Sequence, residues 1–225
     1  MRDAKEEARV KPIFKGDDLR NKQLYTYLNK RIISVADKSN LDYFVVSTKD
    51  QVGVEFADRF KNAFKSVFEL GYDAVISVGN DSPQLNVQTI KEVQDCFSNH
   101  DVVIGRTNNK GAYTVGLTKY AFSKCDFDAV NWSSNNVVLS IKQRSIAQGS
   151  SYTELEDIFH EINCHDDLRA FIKSVAKCEI TFHDILFLVG LFYKRHEKID
   201  HNNSFNQLIV SNSFEIRGSP RLNCV

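Results

Sequence analysis

Asp81 stands in Gly79-Asn-Asp-Ser-Pro-Gln-Leu85, a polar break that follows the short apolar run Asp73-Ala-Val-Ile-Ser-Val78. The run is rich in β-formers and reads as a strand. The segment after the break, Asn86 to Phe97, reads as a helix, and Val102-Val-Ile-Gly105 as the next strand. In a strand–loop–helix–strand unit the first loop lies at the carboxyl end of the sheet, where open α/β folds bind ligands. A carboxylate there can hold Mg²⁺ or Mn²⁺ while the ion keeps waters and takes diphosphate oxygens as its other ligands. The ion would offset charge building on a departing phosphate. The plain alternative is that Asp81 shapes the loop or caps the helix, and the motif by itself leaves both readings open.

Other residues could serve the same chemistry. Arg2, Lys5, Arg9 and Lys11 crowd the start of the chain and could gather on a phosphate, or belong to a solvated terminus. Asn108-Asn109-Lys110-Gly111 could line the same pocket from the next loop, Lys110 balancing phosphate charge, or could be a turn whose residues tolerate left-handed backbone. Arg59, mid-helix among phenylalanines, either snorkels or points its fork at a phosphate. His160-Glu161 begins like a zinc-binding H-E-x-x-H helix, but Cys164 holds the fifth position and zinc is not expected. There is no P-loop, no G-x-S-x-G and no G-x-G-x-x-G.

The elements that must position these residues follow from periodicity. A helix is expected from Asp18 to about Lys38, with Leu24, Tyr27, Leu28, Ile32 and Val35 on one face. Leu41 to Ser47 reads as a strand, and Gly53 to Leu70 as a helix burying Phe56, Phe60, Phe64, Val67 and Phe68. Ala112 to Leu117 is a further strand, and about Asn135 to Ala147 a helix. Tyr152 to Ile158 is a short strand or extended approach; Asp166 to Val175 and the strongly apolar Thr181 to His196 are helices. A late strand is possible at Gln207 to Val210. Alternating strands and helices argue for an α/β fold with a largely parallel sheet.

Composition sets the class. The chain has 225 residues, enough for one domain with an appendage. Lys+Arg and Asp+Glu balance at 29 each, so no global charge draws it to nucleic acid or an anionic membrane. The longest apolar run, Ile185 to Tyr193, is about half of what a membrane span needs. Five cysteines without a C-x-x-C pair, behind a charged start, fit a reducing compartment, and the cytoplasm is expected.

Several motifs taken together resemble a known family. They are Gln51 and Gly53, Phe56-Ala-Asp-Arg59-Phe, Gly79-Asn-Asp81-Ser-Pro83-x-Leu85, Gly111-x-Tyr113-x-x-Gly116-Leu117 and Trp132. Their order and spacing are similar to those of a largely uncharacterised bacterial family of nucleotide-diphospho-sugar transferase-like proteins with the GT-A fold, assigned as glycosyltransferases. The resemblance covers roughly residues 1–175. Glu161 to Leu168 also looks like a late segment of related sugar-nucleotide and cofactor nucleotidyltransferases, with Asn163 where a second metal carboxylate often stands.

The resemblance implies a Rossmann-like, three-layer α/β sandwich over residues 1–176, with residues 177–225 as a helical extension packed on it. It implies a nucleotide-sugar donor and a divalent ion, Mg²⁺ or Mn²⁺. Asp81 and Asn163 would hold the metal. Arg2, Lys5, Arg9, Gln51, Arg59 and Asn80 would shape the donor pocket. Asn109, Lys110, Gly111 and Trp132 would face the acceptor. No residue is assigned as general base, because Asn108 and Asn109 replace the family's acids, Lys110 replaces a glycine, and Gln84 replaces a second acid. The family's opening hydrophobic strand has no counterpart, since Met1 falls inside the loop that follows it; a start upstream of Met1 is one expectation, and Gln207 to Val210 filling the gap another. Two functions follow: a metal-dependent transferase using a nucleotide-activated donor, with glycosyl transfer ahead of nucleotidyl transfer, or a catalytically degenerate member that binds a nucleotide, sugar or protein partner.

Overall fold

The computed structural model describes residues 1–126, 129–130, 132, 136–174 and 182–193. The described sheet has four strands: β1 (Ala74–Val78), β2 (Val102–Thr107), β3 (Ala112–Thr118) and β4 (Tyr152–Phe159). Their order across the sheet is β1-β3-β2-β4. β3 runs antiparallel to both of its neighbours, and β2 pairs parallel with β4. Three strands therefore point one way and β3 alone is reversed. The expected Rossmann-like α/β architecture is present, with this amendment to its parallel sheet. The reason is local: β2 and β3 are joined by only four residues, 108–111, and so short a connection permits a hairpin but no parallel crossover.

The helices are α1 (Ala4–Val10), α2 (Asp18–Lys38), α3 (Phe56–Glu69), α4 (Val87–Cys96), α5 (Lys119–Lys124), α6 (Val137–Ala147), α7 (His165–Ser174) and α8 (Phe182–Tyr193). One face of the sheet packs Val102, Ile104, Val115 and Leu117 against Phe64 and Phe68 of α3 and Ile141 of α6. The other packs Val103, Tyr113, Leu155 and Phe159 against Ile90 and Val93 of α4 and Val35 of α2. Three layers result, as expected. A further apolar group joins Leu24, Tyr25 and Leu28 of α2 to Leu168 and Phe171 of α7 and Leu188 and Leu191 of α8. Arg20 fixes the end of α8, its guanidinium donating to the carbonyls of Leu191 and Phe192 at 2.6 Å each. That satisfies two of the carbonyls a helix leaves unpaired at its C-terminus. Met1–Tyr193 is one compact unit, so α8, which lies within the expected extension 177–225, packs inside it. The late strand at 207–210 lies outside the described residues.

The strand expected at 41–47 is extended but joins no ladder. Strand-forming residues need a neighbour, and among the described residues the edge of β1 away from β3 has no paired strand. Residues 41–48 are tied down otherwise: the Met1 ammonium donates to the carbonyl of Val46, the Met1 carbonyl accepts from Thr48 N at 3.2 Å, and the Tyr72 hydroxyl donates to Asp42 at 2.7 Å.

A bulge decides one core detail. Gly105 faces Thr114 and Arg106 faces Ala112, which leaves Tyr113 as an extra residue on β3. Its ring therefore turns to the face opposite that of Val115 and stacks on Phe159, centroids 4.1 Å apart. A Cβ built on Gly105 would sit 2.2 Å from the Tyr113 ring. Tyr113 is only 1% exposed and has nowhere to retreat. We expect Gly105→Ala to lower the unfolding free energy by about 1–3 kcal/mol in urea denaturation, the usual cost of overpacking. A midpoint equal to wild type would refute this account of the bulge.

Candidate functional site

Because β1, β2 and β4 share a direction, the loops that leave them emerge at one edge of the sheet. Those loops are 79–86, 108–111 and 160–164. They are bonded to one another directly. Ile162 N donates to the carbonyl of Asp81 at 2.9 Å, joining the loop after β1 to the segment after β4. The Gln84 amide oxygen accepts from His160 N at 2.6 Å. Asn108 N donates to Phe159 O at 2.9 Å, and its side-chain oxygen accepts from Glu161 N at 3.3 Å.

The acids meet here. Asp81 is held 3.5 Å from the Lys11 ammonium, at the end of α1, with 27% of its side-chain surface exposed. Burial pushes the Asp81 carboxyl up from its ordinary value, Lys11 opposes this, and Glu161 pushes it further up. Glu161 accepts a hydrogen bond from the Thr107 hydroxyl at 3.1 Å, and that hydroxyl accepts from Gly111 N at 3.0 Å. Each acid lies against a glycine. A Cβ on Gly79 would meet an Asp81 oxygen at 3.0 Å, and one on Gly111 would meet a Glu161 oxygen at 2.9 Å. The two glycines clear the space the carboxylates occupy.

Lys11 is placed from behind. The Tyr25 hydroxyl, on the buried face of α2, donates to the Lys11 carbonyl at 2.6 Å. Asn21, fully buried, accepts from Phe14 N and donates to Phe14 O, both at 2.8 Å, and so closes the loop between α1 and α2. Burial raises the Tyr25 phenol well above its ordinary value, so it stays a neutral donor.

The residues expected at the site divide. Asp81 and Gly111 are in it, and Asn80 is beside it, donating to Asn29 of α2 at 2.6 Å. Arg2 pairs instead with Glu7 at 3.0 Å, and Lys5 and Arg9 lie exposed on α1; of the basic run only Lys11 reaches Asp81. Arg59 donates to the Val54 carbonyl at 2.8 Å, stapling the preceding loop to its own helix. Gln51 sits half-buried in that stretch. Asn109 and Lys110 are exposed at the hairpin tip, Lys110 at φ +64°, a left-handed position that suits the glycine it replaces. Trp132 packs on Phe56 and Phe60 with centroids 5.3 and 4.7 Å apart. Asn163 offers its backbone N–H to Asp167, in the first turn of α7. Glu161, which residue type and spacing do not assign to the site, lies near enough to Asp81 for its charge to act on it. Its signal was a glutamate seated where the β4 segment returns to the Asp81 loop, and that register needs the fold to be seen.

A carboxylate pair beside an ammonium can hold a divalent cation whose other ligands come from a phosphate and water. No group of three or more His, Cys, Asp or Glu able to hold a metal occurs among the described residues.

One of the comparisons with known proteins, that with solved structures, bears on the fold. Residues 34–134 match a family described as an uncharacterized protein conserved in bacteria (DUF2064). The structure is similar to a crystal structure of a provisionally assigned nucleotide-diphospho-sugar transferase from Desulfovibrio desulfuricans G20. The TM-score is 0.68 and the identity 17%, over 85% of this chain and 95% of that one. No curated protein matches the chain.

The raised Asp81 pKa has a testable sign. Asp81 binds its proton more tightly in the folded chain than in the unfolded one. Stability from this group therefore falls as pH rises from the ordinary carboxylate value of 3.8 through the raised value. We expect Asp81→Asn to stabilise the ligand-free protein by about 1 kcal/mol at pH 8. The gain should shrink on acidification and vanish below about pH 4. A variant that melts lower than wild type at pH 8 would show that the Lys11 pairing outweighs burial.

Proposed function

We propose that the protein is a transferase of GT-A type acting on a nucleotide-diphospho-sugar, with glycosyl transfer to an acceptor as its reaction. The observation that carries this is half-buried Asp81, 3.5 Å from the Lys11 ammonium and within reach of the Glu161 charge, where three loops meet at the carboxyl edge of the sheet. The similarity to a provisionally assigned nucleotide-diphospho-sugar transferase supports the same reading at the level of fold.

Asp81 and Glu161 would hold Mg²⁺ or Mn²⁺, which supplies charge to the departing diphosphate when bound. Lys11 would add its own charge to a diphosphate oxygen, a donor fixed in advance of the reaction. Its backbone is already held by Tyr25, so little ordering remains at the moment of binding. Thr107 and the Gly111 amide orient Glu161 towards the site. Asn109 and Lys110, at the exposed tip of the hairpin, would meet the acceptor. Asn163 would contribute through its backbone alone, and Gln51 and Arg59 through the shape of the neighbouring loop. No helix among the described residues is long and apolar enough to cross a membrane. The free thiols of Cys96, Cys125 and Cys164 suit a reducing bacterial cytoplasm.

The test is thermal melting with Mn²⁺ or Mg²⁺ and a panel of nucleoside diphosphates. A metal-dependent rise of several degrees is expected with at least one of them. At a ligand concentration of 100 times Kd the stabilisation is about 2.7 kcal/mol. The rise should be abolished in Asp81→Ala and reduced in Glu161→Gln. It should also weaken as pH falls, because protons compete with the cation for Asp81. No shift with any nucleotide would favour a degenerate member that binds a protein partner.

A further inference from the structure

A second cavity lies outside the acid site. It measures about 900 Å³ and is walled by α2, the start of α4 and the start of α8. Arg31 lines both this cavity and the small gap beneath Gly79, Asn80 and Ser82. It is held there by donating to the Leu85 carbonyl at 2.8 Å and lying 3.9 Å from Asp184. It therefore forms a wall shared by two separate spaces.

The lining has two characters. Tyr27 and Phe187 pack with centroids 4.7 Å apart and, with Val35 and Val87, give an apolar surface. Lys22, Lys30 and Lys38 also line it, all exposed, and none has a carboxylate partner among the described residues. The one acid in the lining is Asp184, which lies against Arg31. The lysines therefore leave a net positive charge over an apolar surface. The volume falls in the range of cavities that take one small molecule, and a mostly apolar wall with a few charged groups is their usual construction.

We propose that this cavity binds a small amphiphilic anion, its charged group facing Lys22, Lys30 and Lys38 and its aromatic or alkyl body against Tyr27 and Phe187. Neither part suffices alone. A bare inorganic anion would gain only the weak attraction of exposed lysines. A neutral apolar molecule would leave their charge unused.

The experiment uses the full chain at low salt, titrated with 8-anilinonaphthalene-1-sulfonate and followed by fluorescence and calorimetry. The neutral N-phenyl-1-naphthylamine and inorganic phosphate serve as comparison probes. One saturable site is expected for the sulfonate, with affinity at least about tenfold above the neutral dye, equivalent to about 1.4 kcal/mol. The triple variant Lys22→Ala, Lys30→Ala, Lys38→Ala should lose at least about tenfold while its cooperative melt stays within about 0.5 kcal/mol of wild type, as surface changes generally do. Phe187→Ala should weaken both dyes, and Asp81→Asn should change neither. Equal affinity for the two dyes, an unaffected triple variant, or loss of the sulfonate in Asp81→Asn would each overturn the proposal.

Discussion

The direction of three strands governs the rest of this molecule. β1, β2 and β4 point the same way, so each delivers its following loop to one edge of the sheet. β3 is reversed, and its hairpin with β2 adds a short turn at that edge in place of a distant crossover. Asp81, the Thr107–Gly111 turn and Glu161 are far apart in the chain, yet this arrangement makes them neighbours. The bond from Ile162 N to the Asp81 carbonyl then locks the first and last of these loops together. A sheet with β3 parallel would need a crossover helix where four residues now suffice, and the Gly111 amide would leave Thr107.

Electrostatics at that edge are arranged at a cost. Burial makes Asp81 resist ionisation, the neighbouring Glu161 charge adds to that resistance, and the Lys11 ammonium offsets part of it. Lys11 is 70 residues from Asp81 in sequence and arrives because α1 ends beside the sheet edge. Its carbonyl is fastened by Tyr25, and the loop after it by Asn21, both on the buried side of α2. The packing of α2 is thereby coupled to the charge balance at Asp81. An incompletely neutralised Asp81 is a cost to the folded chain, of the kind that clusters at functional sites.

The sequence disclosed those parts of this arrangement that depend on local pattern. The Gly-Asn-Asp-Ser-Pro break after an apolar run was enough to single out Asp81, and helical periodicity located α2, α3, α4 and α7 closely. The reversed strand was also legible in principle. Asn-Asn-Lys-Gly between two apolar runs is a hairpin signal, whereas alternating strands and helices by themselves point to a parallel sheet. Leu41 to Ser47 shows the opposite failure, because β-propensity describes what a segment could join and not whether a neighbour exists. Tyr25 was left off the buried face of α2, since its hydroxyl partner is a backbone carbonyl outside the helix. Arg59 and Trp132 are expected at the site by type and order; the Arg59 hydrogen bond to Val54 and the Trp132 ring contacts with Phe56 and Phe60 lie at the start of α3.

The contrast between Asn163 and Glu161 shows how a site can shift along a chain while the fold stays put. The resemblance puts the second carboxylate at 163, where this chain has an amide. In the structure the 163–164 backbone turns into α7, its two N–H groups taken up by Asp167 at 2.9 and 3.0 Å. The segment just before that turn is the one that still lies along the sheet edge, and Glu161 is in it. A carboxylate two residues earlier, with Gly111 making room, acts on the Asp81 carboxyl through its charge and leaves the start of α7 undisturbed. Loss of an acid at one position is therefore weak evidence for loss of the site when a neighbouring register can supply another.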